Sequence, residues 1–334
     1  QTDHTVINLT EMQLDPSLFP VENFSRCLRH ILSENGQEAM DYCSPEGNEA
    51  LRDYIAQRLG LHGISTSRDE ILITYGSQQA LDLIIRLLNR SDKKVVVESP
   101  TYYNIIPLLQ FYNSSVLGIP MRHDGMDLGQ LEKVLAEEAV SFVYTIPNFQ
   151  NPTGLTTSHN HREKLLNICI KHRVPIVEDG FDEEMKYSGI LPLPIKSVDE
   201  KNIVLYLGTF SKILFPGLRI GWITADKDCI RRLTALKRVS DLRCGNLTQM
   251  ALAYFCQQGY YDLHLRRLHR IFRNRLEVAF QTMKDYFPKT TSWTRPKGGY
   301  SIWVRMPQKM SPTQLQEHMS RYKVKVSPGG YYFL

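Results

Sequence analysis

The sequence has no Cys-x-x-Cys pair, no long apolar run, no low-complexity tract and no strong excess of charge of one sign. Each absence excludes a class. Six scattered cysteines (Cys27, Cys43, Cys169, Cys229, Cys244 and Cys256) give neither a disulfide framework nor the ligand spacing of a zinc site, so no metal is expected. Free thiols are what a reducing cytoplasm maintains, and a cytoplasmic location is the expectation. The Asn-x-Ser/Thr triplets at Asn8, Asn113 and Asn246 then fall to chance. With no basic-then-apolar leader and no segment of bilayer-spanning length, no membrane role is expected. A net charge of +5 spread over 334 residues calls for no nucleic-acid partner. The chain starts at Gln1 rather than Met and is read as a processed or excised piece.

What is present is an ordinary globular composition, 42% hydrophobic and 22% charged, long enough for two domains. Short β-branched runs alternate with amphipathic stretches between about residues 70 and 225, the pattern of a mostly parallel α/β sheet. Seven strands are predicted: Ile71–Thr74, Val95–Glu98, Val116–Ile119, Phe142–Ile146, Val174–Glu178, Ile203–Leu207 and Arg219–Thr224. Leu81, Ile84, Ile85 and Leu88 share one helical face, as do Leu165, Leu166, Cys169 and Ile170. Upstream, Ser44 and Pro45 read as the N-cap and first residue of a helix with the stripe Leu51, Tyr54, Ile55 and Leu59. Beyond residue 230 the pattern is helical. It then gives a Gly298–Gly299 turn and a strand over Tyr300–Val304. The basic stretch His264–Arg275 carries Leu265, Leu268, Phe272 and Leu276 at helical spacing and reads as a packed helix with a solvated face. The expected division is an arm over 1–45, a large domain over 46–230 and a smaller α+β domain over 231–334.

Ligands of open α/β sheets bind outside the carboxyl ends of the strands. The residues following the predicted strands are Tyr75-Gly76-Ser77-Gln78, then Pro147 to Gly154 with Asn151 inside it, then Asp179, then Gly208-Thr209-Phe210-Ser211-Lys212, with Arg219 soon after. A phosphorylated aldehyde with a protonatable ring would use this set. Glycine and hydroxyl residues at a helix start offer amides and a dipole to a phosphate, and Arg219 adds a charge-assisted contact. A lysine among cations loses proton affinity and becomes nucleophilic, which suits imine formation. A carboxylate beside a ring nitrogen keeps that nitrogen protonated. Singly, each feature reads as a helix cap, a turn or ordinary surface. Their coincidence at the ends of one sheet is what carries the argument.

The strings Asn151-Pro152-Thr153-Gly154, Glu178-Asp179, Thr209-Phe210-Ser211-Lys212 and Pro216-Gly217-Leu218-Arg219-Ile220-Gly221 resemble fold-type I, class I/II aminotransferases, in order and in approximate spacing. The resemblance runs from Tyr42–Gly47 to Gly298-Gly299-Tyr300. Within that family the chain is similar to the branch of 2-aminoadipate and kynurenine aminotransferases and of the aminotransferase-like domains of MocR (GntR-family) regulators. The resemblance implies the fold-type I architecture: a mostly parallel seven-stranded sheet flanked by helices, with a smaller α+β C-terminal domain. It implies pyridoxal 5′-phosphate as cofactor, linked as an imine to Lys212, which would also shuttle the substrate's proton. Asp179 would pair with the ring nitrogen and Asn151 with the ring hydroxyl oxygen. Gly76, Ser77, Gln78, Thr209, Ser211 and Arg219 would surround the phosphate, and Tyr102, rather than Tyr103, would stack on the ring. Tyr42 would reach the partner subunit's cofactor in a homodimer.

Two departures stand out. Where the family has a tyrosine that bonds the cofactor's phenolic oxygen, this chain has Phe181, so the imine is expected to keep its proton more strongly. The family's arginine for the substrate carboxylate lies beyond the segment that Ser327-Pro328-Gly329-Gly330 resembles. The chain ends at Leu334, and nothing in the context of Arg305 or Arg321 supports either as a substitute. The resemblance thus implies an aminotransferase acting on an amino acid and a 2-oxo acid. The alternative it leaves open is the cofactor-binding sensor domain of a transcription factor, touching DNA only through a module upstream. A third is another reaction on the scaffold, such as a carbon–sulfur lyase or a decarboxylase.

Overall fold

The computed structural model describes residues 6–306 and 311–334. Its centre is an eight-stranded sheet. From one edge the strands are Ile71–Thr74, Gly221–Thr224, Val204–Thr209, Ile176–Asp179, Val140–Thr145, Lys94–Ser99, Ser115–Arg122 and Gly125–Met126. The five strands from Val204–Thr209 to Ser115–Arg122 run parallel. Gly221–Thr224 is antiparallel to both its neighbours, and the two-residue strand Gly125–Met126 pairs antiparallel at the far edge.

Every residue of Ile71–Thr74, Val140–Thr145, Ile176–Asp179 and Val204–Thr209 is buried. Helices cover both faces, which is why these strands read as continuous apolar runs instead of alternating ones. The alternation reappears in the packing. Val95, Val97, Phe142, Tyr144, Val177, Leu205 and Leu207 join the helix Gly76–Leu88 in one apolar cluster. Val96, Val143, Ile176 and Val204 join the helix His159–His172 in another on the opposite face. A third cluster runs from Leu14 and Leu18 through the helices Val21–Glu34, Glu49–Leu61 and Asn246–Gln257 to Leu265 and Leu268, tying the N-terminal arm to the helices beyond the sheet.

All seven predicted strands are present, with an additional two-residue edge strand. Three local expectations are corrected. The helix begins at Glu49, not at Pro45: Asn48 is its cap, accepting from the Leu51 amide, while Gly47 N–H bonds back to the Ser44 carbonyl in a preceding turn. Arg219 lies outside its strand, at φ 49° after the short turn Pro216–Leu218, and pairing starts only at Gly221. The strand expected over Tyr300–Val304 shrinks to Val304–Arg305 against Ser292–Trp293, because Gly298–Tyr300 is taken up in contacts with the residues around Asp182 and Lys212. The basic stretch is part of one long helix, Tyr260–Tyr286. Leu265 and Leu268 are buried there, and Phe272 and Leu276 pack against the core. All six cysteines are free thiols, and no helix among the described residues is long and apolar enough to cross a membrane.

Candidate active site

Outside the carboxyl ends of the central strands lies a cavity of about 700 Å³. Its lining includes Ser77, Gln78, Tyr102, Asn151, Asp179, Thr209, Ser211, Lys212 and Arg219. The sheet's pleat explains the convergence. Tyr144, Asp179 and Thr209 share the parity of Val177, Leu205 and Leu207, so all three project to the face covered by the helix Gly76–Leu88.

Asp179 is 3% exposed, and burial raises its carboxyl to about 6. Two donors oppose that rise. Tyr144 donates its hydroxyl to Oδ2 at 2.7 Å, and the Phe181 amide donates to Oδ1 at 3.2 Å. The neighbouring Glu178 points elsewhere, accepting from the Ile195 and Lys196 amides at 2.8 Å each. Only one member of the Glu-Asp pair therefore belongs to the site. Lys212 is half-buried and donates Nζ to the Met12 carbonyl at 2.7 Å. Burial lowers its basicity and Arg219 adds to that, while Asp182 and Asp179 pull the other way.

The glycine at the helix start is there for space. Gly76 has φ +77°, and a Cβ on it would lie 2.7 Å from Arg219 Nη2. Arg219 in turn donates to the Tyr75 carbonyl at 3.1 Å, which seats the guanidinium beside the first turn of the helix. The Thr209 hydroxyl accepts from the Ser211 amide at 3.1 Å and donates to the Ile220 carbonyl at 3.2 Å, tying the Lys212 loop to the strand that follows.

Gly76 lies behind Arg219 and is not on the cavity wall, and Tyr42 does not reach the cavity of its own chain. Tyr42 is 74% exposed, with the Arg243 guanidinium 5.4 Å from its ring centre. Both Tyr102 and Tyr103 line the cavity, in edge contact with ring centres 5.6 Å apart. Tyr102 accepts from Asn104 and is the more enclosed. Phe181 lines the cavity too, whereas Arg305 and Arg321 do not.

Several residues here gave no signal in the motifs. The arm residues Thr10 to Gln13 form part of the wall, as does Tyr332 from the other end of the chain. They are brought together because Ile7–Asn8 pairs in parallel with Val324–Lys325. Glu98 fixes the asparagine loop: one oxygen accepts from Thr145 and the Ile146 amide, the other from Gln150, whose own carbonyl oxygen holds Thr153. Tyr144 was accessible to parity reasoning, since it alternates with Val143 one residue before the strand's end.

The donor set fits a phosphorylated, ring-bearing carbonyl cofactor. Asn151 Oδ1 and Ser211 Oγ are buried at the cavity without a hydrogen-bond partner among the described residues. A cation sits beside an uncapped helix start, and a buried acid and an amine line the same cavity.

Residues 5–333 match the family model "Aminotransferase class I and II". The aromatic-amino-acid aminotransferase 1 of Thermococcus litoralis is 34% identical over 98% of this chain and 80% of its own length. An uncharacterized HTH-type transcriptional regulator of Bacillus subtilis, YisV, is 32% identical over 98% of this chain and 67% of its own length. The crystal structure of Pyrococcus horikoshii kynurenine aminotransferase, solved in complex with PMP, superimposes with a TM-score of 0.93 at 33% identity, covering 99% of this chain and 83% of that one. The chain belongs to the class I and II aminotransferases of fold type I, and pyridoxal 5′-phosphate is its cofactor.

Proposed function

We propose that this chain moves an amino group between an amino acid and a 2-oxo acid, with Lys212 as the group that holds the cofactor's aldehyde and carries the proton. The single observation behind this assignment is the convergence of Lys212, Asp179, Asn151 and Arg219 on one cavity from the ends of three strands. When bound, the cofactor supplies an electrophilic carbon and a protonated ring that accepts the electron pair released at the substrate's Cα.

The chain's own residues account for the rest. Asp179, held by Tyr144, presents an anionic oxygen to the ring nitrogen and keeps its proton in place. Asn151 would hold the cofactor through its ring hydroxyl and Tyr102 would pack against it, both lining the cavity. Ser77, Gln78, Thr209, Ser211 and Arg219 would hold the phosphate, with Gly76 leaving room for the Arg219 guanidinium. A Lys212 Nζ of reduced basicity would take and hold the proton released at the substrate's Cα, the work of a positioned general base. Met12 and the arm residues beside it form part of the cavity wall next to Lys212.

Tyr103, Phe111 and Tyr332 at the cavity favour amino acids with aromatic side chains, in keeping with the name of the Thermococcus relative. The exposure of Tyr42 supports a homodimer in which it completes the partner's phosphate site. The similarity to the regulator YisV supports one second reading, a cofactor-dependent sensor that binds an amino acid without turnover.

The test is to load the protein with pyridoxal 5′-phosphate, add a panel of amino acids and follow the visible band. Loss of the band on adding an amino acid, reversed by a 2-oxo acid and abolished by Lys212→Ala, is expected. A shifted band that persists without 2-oxo acid formation would favour the sensor. No cofactor uptake at all would refute both.

A further inference from the structure

The Arg219 guanidinium is seated by the Tyr75 carbonyl, which accepts from Nη2 at 3.1 Å. Where that carbonyl points therefore decides where the cation points. Tyr75 is itself held at two further atoms. Its amide donates to Gln79 Oε1 at 2.8 Å, and its phenol oxygen accepts from the Gly245 amide at 3.0 Å. Ser77, Gln78 and Arg219 line the cavity, whereas Tyr75 and Gln79 lie behind its wall.

Gln79 has a partner on each side. Its Nε2 donates to Asp241 Oδ2 at 2.5 Å, and Lys237 Nζ lies 3.4 Å from Asp241 Oδ1. Lys237 is buried on the helix Lys227–Ser240, which ends at Asp241 and packs beside the helix Gly76–Leu88. A backbone donor on one side and a carboxylate on the other fix which way the Gln79 amide faces. A glutamate in its place would serve Tyr75 and repel Asp241. A lysine or methionine would leave the Tyr75 amide without an acceptor. The chain after Asp241 is bent to bring these contacts together. Leu242 has φ 60° with its side chain 63% exposed, a conformation that costs a leucine energy and buries nothing. That turn delivers Asp241 to Gln79 and, a few residues on, the Gly245 amide to the Tyr75 phenol.

We propose that Asp241 is a positioning residue for the cofactor's phosphate, acting through Gln79 and Tyr75 on the Arg219 guanidinium. It touches neither cofactor nor substrate. Asp241 anchors the Gln79 amide, Gln79 holds the Tyr75 peptide, and the Tyr75 carbonyl aims the guanidinium. A guanidinium gains most from a phosphate when its N–H groups are already directed at the oxygens. The proposal rests on the assignment of Ser77, Gln78 and Arg219 to the phosphate.

The test titrates the cofactor-free full chain with inorganic phosphate and, separately, with pyridoxal, which has the ring and the aldehyde but no phosphate. Asp241→Ala should weaken phosphate binding about tenfold, the equivalent of one ordinary hydrogen bond, and leave pyridoxal binding unchanged. Removing an anion would by charge alone strengthen phosphate binding, so the sign of the change separates position from charge. Asp241→Asn keeps an acceptor for Gln79 and should bind phosphate as wild type does. An unchanged or tighter phosphate affinity in Asp241→Ala would overturn the proposal. So would an equal loss of both ligands, which marks general loosening of the helix. If Asp241→Ala does not fold, an exchange of groups decides. Gln79→Glu should lose phosphate, and Gln79→Glu/Asp241→Asn, which restores an amide against a carboxylate, should recover it. Failure to recover would refute the link. A wild type that binds pyridoxal but no phosphate would instead refute the phosphate assignment, and this proposal with it.

Discussion

Tyr144 and Asp179, on adjacent parallel strands, meet through a 2.7 Å hydrogen bond from the phenol to the carboxylate, with both side chains fully inside the protein. The bond makes the acid usable. Burial pushes Asp179 up to about 6, and Tyr144 is the largest influence acting against that rise. A hydrogen bond to a buried charge is worth about 1.5–3 kcal/mol. Tyr144→Phe is therefore expected to raise the Asp179 pKa further and to weaken cofactor binding by about ten- to a hundredfold at neutral pH. Fluorescence titration with pyridoxal 5′-phosphate at pH 6 and pH 8 measures this, and the loss should be greatest at the lower pH, where the variant's acid is neutral.

Asp179 also makes a prediction for the protein without cofactor. Its folded pKa, about 6, lies above the unfolded value of about 3.9. A raised acid binds more protons in the folded state, so its contribution to stability is lost as pH climbs from about 4 to about 6 and is constant above that. Asp179→Asn removes this dependence. Thermal unfolding at pH 4.5 and pH 7 should show a smaller drop in the variant than in wild type, alongside loss of productive cofactor binding. An unchanged pH slope would mean that the acid is not desolvated.

How much of this was legible beforehand follows from the kind of signal each feature leaves. Continuous apolar runs such as Val204–Thr209 mark a sheet covered on both faces, so the strands were readable, as were the polar residues directly after them. The start of the helix Glu49–Leu61 was misread because Ser44-Pro45 and Asn48 are both good openings, and the choice between them lies in a turn closed by Gly47. Glu178 and Asp179 are adjacent in sequence and point to opposite faces, a distinction carried by parity and not by motif. Met12 and Tyr332 were invisible because they reach the cavity through a two-strand pairing, Ile7–Asn8 with Val324–Lys325, that joins opposite ends of the chain. Gln79 and Asp241 escaped notice for a related reason, being far apart in the chain and behind the cavity wall.

Gly76 is a steric requirement that a single methyl group tests. Its φ of +77° is strained for any residue with a side chain, and the added carbon would lie 2.7 Å from Arg219 Nη2. Gly76→Ala is expected to cost about 1–3 kcal/mol in stability and to displace the guanidinium. Inorganic phosphate should then stabilise the variant against heat much less than it stabilises wild type. Gly217→Ala, where a Cβ meets nothing within 4 Å, is the control that should behave normally.

Phe181 gives the spectroscopic prediction. It lines the cavity directly after Gly180, and its amide, not its ring, serves Asp179. A phenyl ring donates nothing to the cofactor's phenolic oxygen, so the form in which that oxygen is an anion lacks a stabilising bond. Phe181→Tyr supplies a donor there and stabilises the deprotonated state of the bound cofactor. The pH midpoint of the visible band should fall by about one unit, the equivalent of one ordinary hydrogen bond of about 1.4 kcal/mol. A spectrophotometric titration of the two loaded proteins reads this directly. Coincident band midpoints would show that the position 181 side chain does not face the phenolic oxygen, whatever its place on the cavity wall.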